Sequence, residues 1–365
     1  MRAAVFESAG QRFTITNDIE IENPRYGEVK VRVSHCGVCH SDLSIVNGSF
    51  PVGTPVILGH EAAGVVEMVG PGVTSLAPGD KVVLTPTPTC GTCYWCVRDE
   101  HSLCANTSAI ALSAFPDGTT RLSRNGATVY RGLGVAAFAE FVVTQESGAV
   151  KVPDDTPLDV VCVIGCAMQT GVGAVLNTAN VEAGATVLVA GLGGIGLAVV
   201  QGARIAGATR IIASDPLPER RAAALRFGAT DVIDPTSDNV VVASHSLTGV
   251  GVDYAFEAAG KAALIGPLLD ACRAGGSTIC VGAPGLDEKI VIDPAVLFST
   301  TGKKLLGCLL GSVNSRREIP RLVELWRRGH LDLEGMITRQ VDLAEIDSAF
   351  DDLVAGRGIR TVVSI

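Results

Sequence analysis

The apolar run Ala185 to Ala190 ends in Gly191-Leu-Gly193-Gly-Ile-Gly196, and alternating strand-like and helix-like segments follow it. Few folds accept this pattern. Gly191 permits a tight turn, Gly193 lets backbone approach a pyrophosphate, and Gly196 lets a helix pack closely on a strand. The helix amino terminus then favours phosphate charge. Strands are expected at Ala185 to Ala190, Arg210 to Ser214, Asp231 to Asp234, Val252 to Phe256 and Ser277 to Gly282. Helices are expected at Gly194 to Ala206, Pro218 to Phe227 and Lys261 to Cys272. That rhythm describes a doubly wound parallel sheet. Asp215 ends the second strand, where a carboxylate accepts from ribose hydroxyls and repels a 2′-phosphate, favouring NAD over NADP. The plainer alternative is a structural turn followed by a surface Asp.

The preceding half reads differently. Glu28 to Val33, Gly64 to Val69 and Lys81 to Leu84 are short β-like runs punctuated by Gly and Pro, as in a many-stranded, partly closed β domain. A helix (Glu318 to Arg328) and a closing strand (Arg360 to Ser364) follow the alternating region. A length of 365 residues suggests two domains. A hydrophobic share of 47% suits compact folding, and a net charge of −9 argues against nucleic acid. Val160 to Val181 and Ala183 to Ala203 are charge-free and long enough to span a bilayer. The second run holds six glycines and the first is dotted with Gln, Thr and Asn, so both read as buried helix and strand-loop-helix, with no membrane contact. The amino terminus lacks a signal-peptide core, and a cytoplasmic protein is expected.

Eleven cysteines in so long a chain favour metal ligation over disulfides. Cys90-x2-Cys93-x2-Cys96-x7-Cys104 can wrap a tetrahedral zinc with no position left open, as at a structural site. An iron–sulfur cluster fits less well, because the fourth cysteine is too distant and no proline follows it. Cys39, His60 and Cys166 are far apart in sequence, and each taken singly reads as an ordinary core residue. Their neighbours argue otherwise: Cys39-His-Ser-Asp42 and Gly59-His60-Glu61 set carboxylates beside a thiol and an imidazole. Asp42 is the candidate to hold the other ring nitrogen of His60. Three ligands leave a fourth position for substrate, as at a catalytic zinc.

In order along the chain stand Gly37-Val-Cys39-His-Ser-Asp42, Leu58-Gly-His60-Glu-Ala-Ala-Gly64, the four-cysteine cluster, Ile164-Gly-Cys166, the glycine loop and Ile359-Arg-Thr-Val362. Together they resemble, essentially end to end, the zinc-containing alcohol dehydrogenases of the medium-chain dehydrogenase/reductase superfamily. The resemblance implies an α/β architecture: a GroES-like β domain of residues 1–167 completed by 310–365, and a Rossmann domain of 168–309, with the active site in the cleft between them. It implies two zinc ions and NAD. Cys39 rather than Cys36 is then the ligand, Ser41 passes the substrate proton outward, and Glu61 lies behind the metal as a transient ligand. His40 and Arg360 would contact the pyrophosphate and Arg220 the adenosine ribose. Gly194, Ile195 and Val281 complete the dinucleotide contacts.

Departures bear on substrate. Ser44 stands where many relatives carry a relay His, and Ser108 where glutathione-adduct members carry a basic residue. Pro86 and Gly132 stand where members tuned to small alcohols carry aromatics, which implies a vacated pocket that Phe50 partly refills. The expected activity is reversible, NAD-linked oxidation of primary or secondary alcohols, bulky, aromatic or medium-chain ones preferred. The alternatives are an aldehyde dehydrogenase acting on adducts of a thiol other than glutathione, and a non-catalytic nucleotide-binding protein. A homodimer is expected, with a tetramer still open, and Leu305 to Leu310 is its candidate edge strand.

Overall fold

The glycine loop sits where a parallel sheet winds away in both directions. The computed structural model describes residues 1–365, with the side chain of Ala109 excepted. Met168–Val313 form one unit, and Met1–Ala167 with Asn314–Ile365 form the other. In the first, six parallel strands lie in the order Asp231–Ile233, Arg210–Ser214, Thr186–Ala190, Val252–Glu257, Cys272–Cys280, Lys304–Gly307. The order reverses between Thr186–Ala190 and Val252–Glu257, and a ligand crevice belongs at the carboxyl ends of those two strands. Val187, Leu188 and Val189 are fully buried, which is why the central strand reads as an unbroken apolar run. Helix Gly194–Ile205 buries Leu197, Ala198, Val199 and Val200.

Two segments differ from expectation. The helix expected at 261–272 begins as a 3-10 turn, Ala262–Leu264, and continues as Ile265–Ala271. The long apolar run from Val160 is not one helix. It is Leu158–Val161, a 3-10 turn Cys162–Gly165, then Ala167–Gly173, interrupted at Cys166 by non-helical backbone (φ −137°, ψ −73°). Among the described residues no single helix is long and apolar enough to cross a membrane.

In the other unit, strand Glu28–Gly37 is the hub of a seven-stranded sheet, pairing with Glu61–Val69, Phe141–Gln145 and Arg360–Ser364. The last pairing brings the carboxyl terminus back onto the hub strand, with Val362 opposite Gly37 and Val363 opposite Cys36. A smaller sheet pairs Ala3–Phe6 with Thr14–Thr16 and Val56–Ile57. Phe13 packs on Phe6, Phe138 and Phe350, tying that sheet to helix Ile346–Val354. Residue 37 ends the hub strand opposite Glu61, so the sheet register alone sets Cys39 beside His60.

Candidate active site

Helix His40–Val46 is short, and its first turn is closed by reciprocal capping. Asp42 accepts from the Cys39 N–H at 3.3 Å, and Cys39 is the residue that caps the helix. The other Asp42 oxygen accepts from the Gly59 N–H at 2.9 Å and from His60 Nδ1 at 3.2 Å. One fully buried carboxylate thus fixes the backbone entering two donor residues and the ring of the second. With Nδ1–H donating to Asp42, Nε2 keeps its lone pair for a metal. The break in the apolar helix delivers Cys166, and the donor atoms of Cys39, His60 and Cys166 lie within 4.8 Å of one another. Sulfur ligands at about 2.3 Å from a tetrahedral zinc stand about 3.8 Å apart, so the set fits that ion with one position open.

Behind this set lies Glu61, with one oxygen accepting from the Ala167 N–H at 2.8 Å and the other 3.3 Å from Arg360 Nε. A Cβ at residue 37 would meet that carboxylate at 2.3 Å, so glycine is required there. Burial pushes the Glu61 carboxyl up to about 7, against the pull of Arg360. Burial also opposes charge on His60, but Asp42 and Cys39 outweigh it and raise its pKa. Contact with Cys166 and His60 holds the Cys39 thiol well below its ordinary value, while Cys39 pushes Cys166 well above. The proton the two sulfurs compete for is the one a divalent cation would displace. Arg360, expected at coenzyme phosphate, is buried here and donates from its Nη1 to the Val38 carbonyl at 2.8 Å. Its pairing with Glu61 is a feature the sequence reading missed. Cys36 belongs to neither donor set; its buried thiol donates to the Gly37 carbonyl.

Ser41 Oγ lies 3.8 Å from Cys39 Sγ, at the edge of the donor set. His40 is exposed on the same turn. Ser44 donates to the His40 carbonyl at 3.0 Å.

The second cluster is built from loops. The sulfurs of Cys90, Cys93, Cys96 and Cys104 lie within 4.8 Å of one another, and those of Cys93 and Cys104 are 3.9 Å apart. Main-chain N–H groups point at the sulfurs: Cys93 donates to Cys90 and Cys90 to Cys104, both at 3.3 Å. Such donors stabilise thiolates, and backbone contacts from Ala105 and Cys96 bring the Cys93 thiol down to about 6. Four sulfurs close the coordination shell, so a zinc here is structural.

In the other unit the glycine loop forms as its spacing dictates. Gly191 has φ +89°, and a Cβ on Gly196 would lie 1.8 Å from the Gly191 carbonyl oxygen. A Cβ on Gly193, the residue capping helix Gly194–Ile205, would meet nothing within 4 Å. Open space over a helix amino terminus suits a pyrophosphate. Gly194 is buried and Ile195 half-buried at the start of that helix. Asp215 is nearly buried: one oxygen accepts from the Leu192 N–H at 2.8 Å, the other from the Leu217 N–H at 2.9 Å. The plain surface Asp is thereby excluded, and the carboxylate ties the glycine loop to the next helix. Arg220 Nη1 stands 3.8 Å from it. Val281 is buried, donating its N–H to the Glu257 carbonyl.

The pocket inference needs correction at Gly132. A Cβ there would meet Leu58 Cδ2 at 2.5 Å and the Ile57 carbonyl at 2.8 Å. The missing side chain is demanded by backbone packing, and it opens no space that a ring could refill. Pro86 is buried.

Residues 25–154 match the model of the alcohol dehydrogenase GroES-like domain, and residues 194–328 that of the zinc-binding dehydrogenase domain. An S-(hydroxymethyl)glutathione dehydrogenase of Escherichia coli is 41% identical, over 99% of each chain. The crystal structure of an alcohol dehydrogenase zinc-binding domain protein from Burkholderia ambifaria superposes with a TM-score of 0.94 at 37% identity, covering 100% of this chain and 98% of that one. Benzyl alcohol dehydrogenase from Acinetobacter calcoaceticus gives 0.94 at 31% identity, covering 100% and 99%.

Proposed function

This chain belongs to the zinc-containing alcohol dehydrogenases of the medium-chain dehydrogenase/reductase superfamily, and from that premise we propose that it oxidises primary or secondary alcohols reversibly to aldehydes or ketones with NAD. The observation that carries the reading is the three-donor set Cys39, His60 and Cys166, whose chemistry suits a zinc with one open position. Zinc there supplies a Lewis acid that makes an alcohol hydroxyl acidic near neutral pH, and NAD supplies the hydride acceptor. Everything else falls to the chain. Asp42 fixes the tautomer and direction of His60. Ser41, beside Cys39, takes the hydroxyl proton and passes it outward. Ser44 spends its hydroxyl on a carbonyl, so this relay runs without an imidazole at that position. Glu61, paired with Arg360, lies behind the donor set, where it would serve as a transient ligand. Gly191, Gly193 and Gly196 cradle the pyrophosphate, and each Asp215 oxygen retains a lone pair for a ribose hydroxyl.

The preferred substrates are aromatic or medium-chain alcohols, a reading supported by the likeness to a benzyl alcohol dehydrogenase. The names of the Escherichia coli relatives favour a second reading, in which the alcohol is a thiol adduct of formaldehyde. Against glutathione stands Ser108, which offers no positive charge and donates to the Ala105 carbonyl; another low-molecular-weight thiol is the remaining form of that reading. Initial rates with benzyl alcohol, octanol, ethanol, and formaldehyde with and without thiols separate the two. Benzyl alcohol should exceed ethanol at least about tenfold in kcat/KM, equivalent to about 1.4 kcal/mol. A thiol-dependent formaldehyde activity above every free alcohol transfers the assignment to the adduct. Strand Lys304–Gly307, at the sheet edge, is the pairing surface of a homodimer, which light scattering tests.

A further inference from the structure

Glu257 is the last residue of strand Val252–Glu257, on the side of the crevice opposite the glycine loop. Its side chain is 1% exposed, an expensive place for a carboxylate unless hydrogen bonds compensate it. They do so in part, and burial still holds its pKa above the ordinary value. One oxygen accepts from the N–H groups of Ala259 at 2.9 Å and Lys261 at 3.2 Å, which curls residues 258–261 back over the strand end. Its main-chain carbonyl accepts from Val281 and Gly282, both at 2.9 Å, fixing the loop that leaves the neighbouring strand.

The two loops are in backbone contact. A Cβ at Gly282 would fall 2.2 Å from the Gly260 nitrogen and 2.6 Å from the Glu257 carboxylate. The first loop also abuts the glycine turn: a Cβ at Gly191 would lie 2.6 Å from the Ala259 nitrogen, and Ala258 donates to the Ala190 carbonyl at 2.8 Å. Glycines at 191 and 282 let these backbones approach, and the hydrogen bonds of Glu257 and Ala258 hold the three loops together. Asp215 serves the adenosine end of the crevice, and Glu257 stands at the same level of the sheet on its other flank. A dinucleotide lying across the switch point places its two halves on those two flanks.

We infer that Glu257 is a positioning residue for the nicotinamide half of a bound dinucleotide, setting two crevice loops at once through its carboxylate and its carbonyl. The inference rests on the dinucleotide reading of the crevice. Its signature is a loss confined to one half of the coenzyme. In Glu257→Ala two loop N–H groups lose their acceptor, whereas the bonds from the Asp215 carboxylate to Leu192 and Leu217 are untouched.

Dissociation constants for NADH and for 5′-AMP, measured by calorimetry on the zinc-loaded protein, test this. Glu257→Ala should weaken NADH at least tenfold and 5′-AMP less than threefold. Glu257→Gln, which keeps an acceptor of the same reach, should recover most of the loss. Gly282→Ala, which keeps the carboxylate but drives a Cβ into it and into Gly260, should show the same selectivity and stands in if Glu257→Ala does not fold. Equal losses for both ligands, or an unchanged NADH constant, overturn the inference. Wild-type protein that binds neither ligand overturns the dinucleotide reading beneath it instead.

Discussion

Removing the Asp42 carboxylate should strip one zinc and spare the other. Three donors end on it: the Cys39 and Gly59 N–H groups and the His60 ring. In Asp42→Ala both main-chain groups lose their buried acceptor, at about 1–3 kcal/mol each, and both belong to the segments that carry ligands. His60 also loses the partner that sets its tautomer. Carboxylates in this position are worth about 10–100-fold in metal affinity, or about 1.4–2.7 kcal/mol. The expected result is a drop of that size in affinity for the zinc at Cys39, His60 and Cys166. Asp42→Asn retains one acceptor and should fall at the lower end. The four-cysteine cluster draws none of its contacts from Asp42, so its zinc is an internal reference in the same tube. Titration with a chromogenic chelator, read as zinc released per chain, resolves two steps, of which only the one missing from Cys166→Ala should move. If both steps shift together, or that step stays at the wild-type chelator concentration, the role given to Asp42 is wrong.

Other outcomes follow from the same geometry. Cys166→Ala should leave one zinc per chain and a folded, inactive protein, while Cys93→Ala should lower the melting temperature, because a structural zinc contributes folding energy directly; elemental analysis with calorimetry checks both, and iron in place of zinc would contradict them. Gly132→Ala should destabilise by about 1–3 kcal/mol in urea unfolding, because its Cβ is driven into Leu58 and the Ile57 carbonyl; an unchanged midpoint would restore the open-pocket reading. Asp215→Ala should raise the NADP/NAD ratio of kcat/KM while lowering both values, since it frees a 2′-phosphate from repulsion but strands the Leu192 and Leu217 N–H groups. Wild-type protein that uses NADP as well as NAD would refute that role for Asp215.

How much of this was legible in the chain depends on how local each interaction is. The glycine loop announces its strand, turn and helix because all of its steric demands fall within six residues. The four-cysteine cluster is equally local. Cys39, His60 and Cys166 are not, since a sheet register and a broken helix bring them together, and in sequence only neighbouring carboxylates and the resemblance, not spacing, joined them. The break at Cys166 was hidden for the same reason: its neighbours are apolar and read as continuous helix, but a ligand must point out of that line. The Glu61 partner of Arg360 was not legible because sequence context reports a charge and no partner; the partner is supplied by the pairing of the closing strand with Glu28–Gly37. Gly132 was misread because a glycine in sequence looks the same whether it vacates a pocket or admits a backbone. Glu257 carries no signal of its own, for its partners are main-chain N–H groups that every residue possesses.

The central claim is that hydride passes from the carbinol carbon of an alcohol to NAD, and label transfer tests it most directly. Turnover with benzyl alcohol carrying two deuterium atoms on the carbinol carbon should place one deuterium at C4 of the reduced nicotinamide, seen by mass spectrometry and NMR. No deuterium should wash into water. Reduced coenzyme without the label, or label appearing in solvent, would contradict the account.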